Sequence, residues 1–167
     1  MTDNQTLTRR EWITALGRTL AGGTVLAAAA SLLPAAADAA PARKIVVYKD
    51  ANCGCCKDWV THLRRNGFAP VAHDRTDMDA LKDSLGVPAA LRSCHTAMSG
   101  RYVIEGHVPA ADIVRLMKTA PKGITGLAVP GMPAGSPGME VPGGRTERYD
   151  VIAFGANGRT SVFATHR

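Results

Sequence analysis

The chain reads Lys44-Ile45-Val46-Val47-Tyr48-Lys49 and, after two residues, Asn52-Cys53-Gly54-Cys55-Cys56-Lys57. The first run is β-branched and predicts a buried strand. After the cysteines, Trp59, Val60 and Leu63 recur with Cys56 on one face of a predicted helix. The three cysteines therefore belong to a strand-to-helix turn, around the N-terminus of the helix.

This turn favours thiolate chemistry. Free backbone N–H groups and the helix dipole stabilise negative charge at a helix N-terminus, which lowers the pKa of a thiol there. Cys53 and Cys56 alone have the C-x-x-C spacing of a thioredoxin-like redox pair. A two-electron couple needs only two sulfurs, so the additional Cys55 indicates a ligand for a soft metal.

Residues 1–39 have the features of a cleavable export signal. Paired arginines at Arg9-Arg10 precede a mildly apolar stretch from Leu16 to Leu33 and a small-residue end, Ala35-Ala36-Ala37-Asp38-Ala39. The pair resembles a twin-arginine signal, and an ordinary Sec signal is the alternative. We expect the protein to be periplasmic, with no membrane span after cleavage.

Residues 40–167 have the length of a single small α/β domain and contain all four cysteines of the chain. The whole sequence carries a formal net charge of +6. Its positive residues are scattered and aromatic residues make up only 5% of it, so we predict no nucleic-acid partner.

The predicted element order after residue 40 is β-α-β-α-β-β-α. Strands are expected at 44–49, at 68–73 as an edge-like strand, and as a hairpin at 92–98 and 101–105. Helices are expected after 53, 76 and 109, the second with Met78, Leu81 and Leu85 facing inward. A Gly/Pro-rich loop follows at 121–144, and a C-terminal β-hairpin at 149–154 and 160–165. This order resembles a thioredoxin-like fold, in which the third strand starts beside the end of the first. Cys94 would then meet the cysteine turn, and His107 would lie at the same end of the sheet.

Four thiolates at one place select Cu(I), zinc or an iron–sulfur cluster. Adjacent residues at a helix start diverge by roughly 100°, so Cys55 and Cys56 are not expected to grip one small tetrahedral ion together. This divergence favours several Cu(I) ions bridged by Cys53, Cys55, Cys56 and Cys94, with zinc less favoured. Disulfides are the ordinary alternative in an exported protein. We expect a Cys53–Cys56 disulfide in the metal-free state.

The other candidate ligands are accessory. His107 and the loop methionine Met132 are proposed as additional ligands, and Met139 as a further soft side chain on the same loop. His95 should point away from Cys94, because neighbouring strand residues alternate between faces. His62 lies two helical turns from Cys55 and is expected to be a surface histidine.

Several motifs resemble those of the CopG-type copper-resistance proteins of bacteria. Beyond the cysteine turn, they are Gly86-Val87-Pro88, Ser93-Cys94-His95-Thr96-Ala97, Tyr102-Val103-Ile104-Glu105-Gly106-His107-Val108-Pro109-Ala110, Gly126-Leu127-Ala128-Val129-Pro130-Gly131-Met132-Pro133 and Gly135-Ser136-Pro137-Gly138-Met139-Glu140. The resemblance implies an exported protein with a thioredoxin-like fold and cysteine-bound copper. Its partners would be copper ions and other periplasmic copper-handling proteins. Storage, transfer and redox conversion of copper all stay open.

Two other functions fit the cysteines. A thiol–disulfide oxidoreductase would use Cys53 as the nucleophile and Cys56 as the resolving thiol, leaving Cys55 and Cys94 without a role. A structural zinc site would only stabilise the fold. We favour a metal-binding protein over an enzyme, and any enzyme built on this turn would be an oxidoreductase.

Replacement of both Arg9 and Arg10 by lysine should abolish export if the twin-arginine route is used. The measurement is the fraction of the protein found in the periplasm. Arg18→Lys, in the same leader but outside the pair, is the matched control. Undiminished export of the double variant would indicate the Sec route.

Overall fold

The computed structural model describes residues 41–167, so the predicted export signal lies outside the described residues. Three α-helices and seven strands occur in this range, together with a short 3-10 helix at Ala89–Leu91. The helices are α1 (Gly54–Arg65), α2 (Met78–Ser84) and α3 (Ala110–Thr119). The strands are β1 (Arg43–Lys49), β2 (Phe68–Asp74), β3 (His95–Ser99), β4 (Tyr102–Glu105), β5 (Gly126–Ala128), β6 (Tyr149–Phe154) and β7 (Thr160–His166).

All seven strands form one mixed sheet in the order β2-β1-β3-β4-β5-β6-β7. Two neighbouring pairs, β1 with β2 and β4 with β5, are parallel, and the others are antiparallel. The predicted mixed α/β architecture, the edge position of β2 and both hairpins are confirmed. Assignment to the thioredoxin-like class stays a prediction.

Helices cover both faces of the sheet. On one face α1 and α3 bury Val60, Leu63, Ile113 and Leu116 against strand residues such as Ile104. On the other face, the 3-10 helix and the segment before it contribute another apolar cluster, formed by Val87, Leu91, Val103, Ala128 and Phe154. Because successive strand residues point to opposite faces, coverage on both sides explains why the central strands are almost continuously buried.

The expectation of an irregular segment over 121–144 was wrong at β5. Gly126–Ala128 pairs with Val103–Glu105 on one side and with β6 on the other. A Cβ at Gly126 would lie 2.2 Å from the Val103 carbonyl oxygen and 2.4 Å from the Phe154 ring. Glycine is therefore required for close approach of the strands, and glycine also weakens the sequence signal of a strand. Through β5, the C-terminal hairpin joins the main sheet.

The buried side of α2 also differs from the prediction. Met78, Leu81 and Leu85 were expected to face inward, but all three are half-buried. The helix instead buries Lys82, which pairs with Glu105 at the end of β4. A periodicity argument counts lysine as polar and so cannot detect a lysine that is buried with a partner.

His62 connects α1 to the start of α3 and is half-buried, contrary to the expected surface position. Its Nε2 accepts a hydrogen bond from the Ala110 backbone N–H at 3.1 Å. Burial lowers the pKa of His62 below its ordinary value, mainly because charge is disfavoured away from water. Only neutral imidazole can accept this hydrogen bond, so the contact and the lowered pKa agree.

Within residues 41–167, no helix has the length and apolar character needed to cross a membrane.

The lowered pKa of His62 predicts a loss of stability in acid. The contribution of neutral His62 is complete above the unfolded-state pKa of 6.5 and is lost as the pH falls through the lower folded-state pKa. We expect the free energy of unfolding of the metal-free protein to decrease between pH 7.5 and pH 5 less steeply in His62→Gln than in the wild type. Urea denaturation at both pH values measures this difference. His73→Gln, at an exposed position on β2, should keep the wild-type dependence. An equally steep decrease in His62→Gln would contradict the prediction.

Candidate metal centre

The turn between β1 and α1 orients three cysteines. Asp50 organises it, since its carbonyl oxygen accepts from Cys53 N at 3.1 Å and its carboxylate accepts from Asn52 N at 2.7 Å. Cys53 is the N-cap residue of α1, and Cys55 and Cys56 lie in the first turn of the helix. The predicted strand-to-helix turn is confirmed.

Cys94 reaches this turn from the start of β3. Lys49 at the end of β1 pairs with His95 at the beginning of β3, so Cys94 comes directly beside the cysteine turn. The Sγ atom of Cys94 lies 3.5 Å from that of Cys56 and 3.8 Å from that of Cys55. The Sγ atoms of Cys53, Cys55, Cys56 and Cys94 all lie within 4.8 Å of one another. The meeting of the two cysteine segments that the predicted strand order required is therefore observed.

Despite the predicted divergence of Cys55 and Cys56, their sulfur atoms lie within 4.8 Å of each other. Four thiolates around one tetrahedral zinc ion, with Zn–S bonds of about 2.3 Å, have their sulfur atoms about 3.8 Å apart. Three of the Sγ separations, Cys53–Cys55, Cys55–Cys94 and Cys56–Cys94, are 3.5 to 3.8 Å and so are of this size. The cysteine cluster is therefore compact, and the expectation of several bridged ions stays a prediction.

Cys53 and Cys56 form a disulfide, and Cys55 and Cys94 are free thiols. This is the pairing expected for the metal-free state. Cys55 Sγ lies 3.6 Å from the disulfide-bonded Sγ of Cys53 and 3.8 Å from the thiol of Cys94. Reduction of the disulfide is required before all four sulfurs can act as thiolates.

The surroundings of Cys94 keep its thiol protonated. Burial, followed by the charge of neighbouring Cys55, raises the pKa of Cys94 to about 12. Metal binding at such a thiol displaces the proton, as in metal–thiolate sites generally.

His107 faces the cysteine cluster from the segment after β4. Its ring is fully buried, and its Nδ1 lies 2.8 Å from the Pro137 carbonyl oxygen. A carbonyl oxygen only accepts hydrogen bonds, so Nδ1 carries the proton and Nε2 presents a lone pair. This Nε2 atom lies 3.1 Å from Cys94 Sγ. His107 therefore donates a hydrogen bond to the loop through Nδ1 and presents Nε2, a candidate metal ligand, to the cysteines. Burial lowers its pKa, which favours the neutral form that ligates metals.

His95 does not point away from Cys94, so this prediction was wrong. The Nδ1 atom of His95 lies 3.3 Å from Cys94 Sγ, and the ring packs against Trp59 with 4.4 Å between ring centroids. Strand alternation does not govern the pair because β3 begins at His95 and Cys94 precedes it. The ring is fully buried, and burial lowers its pKa well below the ordinary value. Its Nε2 has no hydrogen-bond partner within the described part of the chain.

Cys94 thus belongs to two groups of possible ligands. Besides the cluster of four sulfurs, the ligand atoms of Cys94, His95 and His107 also lie within 4.8 Å of one another. The thiol of Cys94 is the atom that the two groups share.

The loop after β5 covers the start of α1. Ser93 Oγ donates a hydrogen bond to the Gly131 carbonyl oxygen, which attaches the loop beside Cys94. Gly138 has a φ of +85°, and a Cβ there would lie 2.8 Å from the Cys55 carbonyl oxygen and 2.7 Å from Trp59 N. Glycine is needed at this position for both its conformation and its close approach to the helix. Met132 follows Gly131 and is 53% exposed, so its role as a ligand stays a prediction.

Comparison with known proteins shows the family of this chain. Two solved structures titled "Copper resistance protein copG", Form 2 and Form 1, are 48% and 49% identical to this chain. Each match covers 75% of this chain and 99% or 98% of the other, with a TM-score of 0.71 in both cases. The chain belongs to the CopG copper-resistance family. The resemblance inferred from the sequence motifs is therefore confirmed.

A family model described as "Protein of unknown function, DUF411" matches residues 91–139. This segment of the CopG-family chain includes Cys94, His95, His107 and the loop as far as Met139, but it does not include the cysteine turn. A search of curated proteins finds no match.

Sequence reasoning missed His95 and Glu105 as parts of this end of the molecule. The adjacency of Cys94 and His95 was visible, but the alternation rule was applied one residue before the strand begins. Glu105 was visible only as a polar residue in an apolar strand, Tyr102-Val103-Ile104-Glu105. A charged residue in such a strand signals a buried partner, although the sequence does not say which one.

Proposed function

We propose that this member of the CopG family is an exported periplasmic protein that binds Cu(I) as its cargo and serves copper resistance. The thiolates of Cys53, Cys55, Cys56 and Cys94 hold the metal. The observation that supports this proposal most directly is the convergence of the four Sγ atoms within 4.8 Å in a chain related to copper-resistance proteins.

The chemistry of the donors favours Cu(I) over zinc. Thiolates are soft ligands that suit Cu(I). Four thiolates in a closed site also suit zinc, so the distinction between the two metals rests on the other donors. The ring nitrogens of His95 and His107 lie beside Cys94, so the donor set extends beyond four sulfurs. A closed structural zinc site has no use for these additional donors.

More than one copper ion is expected, on a basis different from divergence of the sulfurs. Cys94 Sγ is shared between the cysteine cluster and the group of Cys94, His95 and His107. A thiolate between two donor groups is suited to bridging two ions. In this arrangement His107 is an accessory ligand at one ion, and Met132 is an exposed accessory ligand on the loop.

The Cys53–Cys56 disulfide gives the site a redox dependence. Its reduction takes up two electrons and two protons and yields the two thiols that complete the four-sulfur site. In the reverse direction, oxidation of the two thiolates to the disulfide releases two electrons, which reduce two Cu(II) ions to Cu(I). Copper redox conversion is therefore a proposed activity of the same pair.

A thiol–disulfide oxidoreductase is the second candidate, and the disulfide between Cys53 and Cys56 is the observation in its favour. For this function the sulfurs of Cys55 and Cys94 have no part, although they lie directly beside the pair.

The proposed partners of the copper-binding function are copper ions and other periplasmic copper-handling proteins, which would approach the exposed side of the turn.

The first prediction of this proposal concerns stoichiometry. Fully reduced protein, titrated with Cu(I) without oxygen, should bind more than one ion per chain because Cys94 is available as a bridge. The measurement is the endpoint of the titration, with copper determined by elemental analysis. Protein with the disulfide intact is the control and should bind fewer ions. A one-to-one endpoint that resists further copper would instead support a single closed site.

The second prediction concerns Cys94→Ser, which exchanges a soft thiolate for a hard hydroxyl of similar size. We expect Cu(I) affinity to fall by more than about 100-fold, since even the loss of a neighbour of a metal ligand costs about 10- to 100-fold. Competition with a Cu(I) chelator measures the affinity, and circular dichroism checks the fold.

A disulfide-reductase assay on Cys94→Ser separates the two candidate functions. If the protein is a dithiol enzyme, Cys94→Ser keeps the Cys53–Cys56 couple and therefore its reductase activity, which does not depend on copper affinity. Unchanged copper affinity in Cys94→Ser would rule out this residue as a ligand and restrict the site to the turn.

A further inference from the structure

Lys82 and Glu105 form a buried ion pair at the end of the sheet that carries the cysteines. Lys82 is 3% exposed, and Glu105 is fully buried. The Lys82 Nζ atom lies 2.5 Å from Glu105 Oε1 and 2.9 Å from Thr96 Oγ1. Burial of two charges is costly, and apolar residues of similar size often replace such pairs without loss of stability. Stability alone therefore does not explain this pair.

The Glu105 carboxylate is hydrogen-bonded to the segment that contains Cys94. Its Oε1 accepts from the Ser93 backbone N–H at 2.7 Å, and its Oε2 accepts from the Thr96 hydroxyl at 2.6 Å. These two donors flank Cys94, one on each side along the chain. A single carboxylate thus bonds the backbone before the thiol and a side chain after it.

The sheet itself does not extend to Cys94. The ladder between β3 and β4 ends at the pair of Thr96 and Glu105, and the His95 carbonyl oxygen accepts one further bond from Gly106 N at 2.9 Å. The bond from Ser93 N to Glu105 therefore holds the chain beyond the last hydrogen bonds of the strand. Ser93 also bonds the loop through Gly131, so the cover of the site depends on the same residue.

We propose that Glu105, with its charge compensated by Lys82, is a positioning residue of the metal centre. It fixes the segment from Ser93 to Thr96 so that Cys94 Sγ stays 3.5 Å from Cys56 Sγ and 3.8 Å from Cys55 Sγ. Lys82 neutralises the carboxylate, so that no net negative charge is added beside a site that gathers thiolates. The proposal rests on the proposed copper function for its consequence, but the position of Cys94 can be measured without metal.

Three variants separate positioning from mere stability. Lys82→Met with Glu105→Met removes both charges and both bonds to the Cys94 segment while keeping an apolar volume. Lys82→Met with Glu105→Gln also removes the charges, but it leaves an oxygen that accepts from Ser93 N. Asp112→Asn is the matched control, because Asp112 is a buried carboxylate whose partners, Arg115 and His166, lie away from the Cys94 segment.

The metal-free measurement uses a Cys53→Ser background, in which Cys56 is free to pair with Cys94. Glutathione disulfide oxidises two protein thiols to a disulfide and is itself reduced to two glutathione molecules. The equilibrium constant for the bond from Cys94 to Cys55 or Cys56 is determined by mass spectrometry. It should fall about tenfold or more in the Met/Met variant, since effective concentration depends steeply on geometry. The Met/Gln variant should recover most of this loss, and Asp112→Asn should match the background.

The copper measurement uses the same substitutions in reduced protein with all four cysteines, with Cu(I) competition against a chelator. The Met/Met variant should bind Cu(I) about 10- to 100-fold more weakly, as expected for loss of a group that orients a ligand. The Met/Gln variant should stay close to the wild type, and so should Asp112→Asn even if its unfolding midpoint falls.

An unchanged disulfide equilibrium in the Met/Met variant would overturn the positioning proposal, whatever its copper affinity. Failure of the wild type to bind Cu(I) would overturn the proposed function and leave the metal-free result standing. If the Met/Met variant does not fold, Thr96→Val in the same Cys53→Ser background replaces it, since it removes one of the two bonds and keeps both charges. A smaller fall in the same equilibrium constant is then expected, and no fall would overturn the proposal.

Discussion

The antiparallel pairing of β1 with β3 is the interaction on which the candidate metal centre depends. It places Lys49, the last residue of β1, opposite His95, the first residue of β3. A parallel pairing would move the start of β3 to the other end of the strand, roughly 13 Å away for five residues. Because β4 in turn runs antiparallel to β3, Glu105 and the segment with His107 return to the same end of the sheet. Three separate parts of the chain thereby contribute to one site.

This end of the sheet combines accessible sulfur with shielded nitrogen. Cys53, Cys55 and Cys94 are partly exposed, whereas His95 and His107 are fully buried behind them. A soft cation approaching from solvent therefore meets sulfur first and imidazole afterwards. The buried groups keep their positions through specific contacts, such as the hydrogen bond between His107 and the Pro137 carbonyl oxygen. Buried polar groups generally require such partners, and the partner of His107 Nδ1 comes from the covering loop.

Much of the fold could be predicted because its signals are local. The cysteine turn, the two hairpins and the edge strand β2 each depend on periodicity and turn residues within a short window. The strand β5 could not be predicted, because Gly126 is needed for its close fit to Val103 and Phe154 and also removes the strand signal. Prediction of the site from the sequence was limited in the same way. The convergence of the four cysteines followed from the expected strand order, but the orientation of His95 depended on the residue at which β3 begins.

By itself the sequence determined the cysteine spacing, the strand-to-helix turn and the family to which the chain belongs. The tertiary structure alone decided the sulfur separations, the place of His95 beside Cys94 and the burial of Lys82 with Glu105. The physical reason is the distance along the chain over which each feature is set. Backbone conformation in a turn depends on a few adjacent residues, whereas a lysine such as Lys82 is buried only because a strand 23 residues later supplies the carboxylate that receives it.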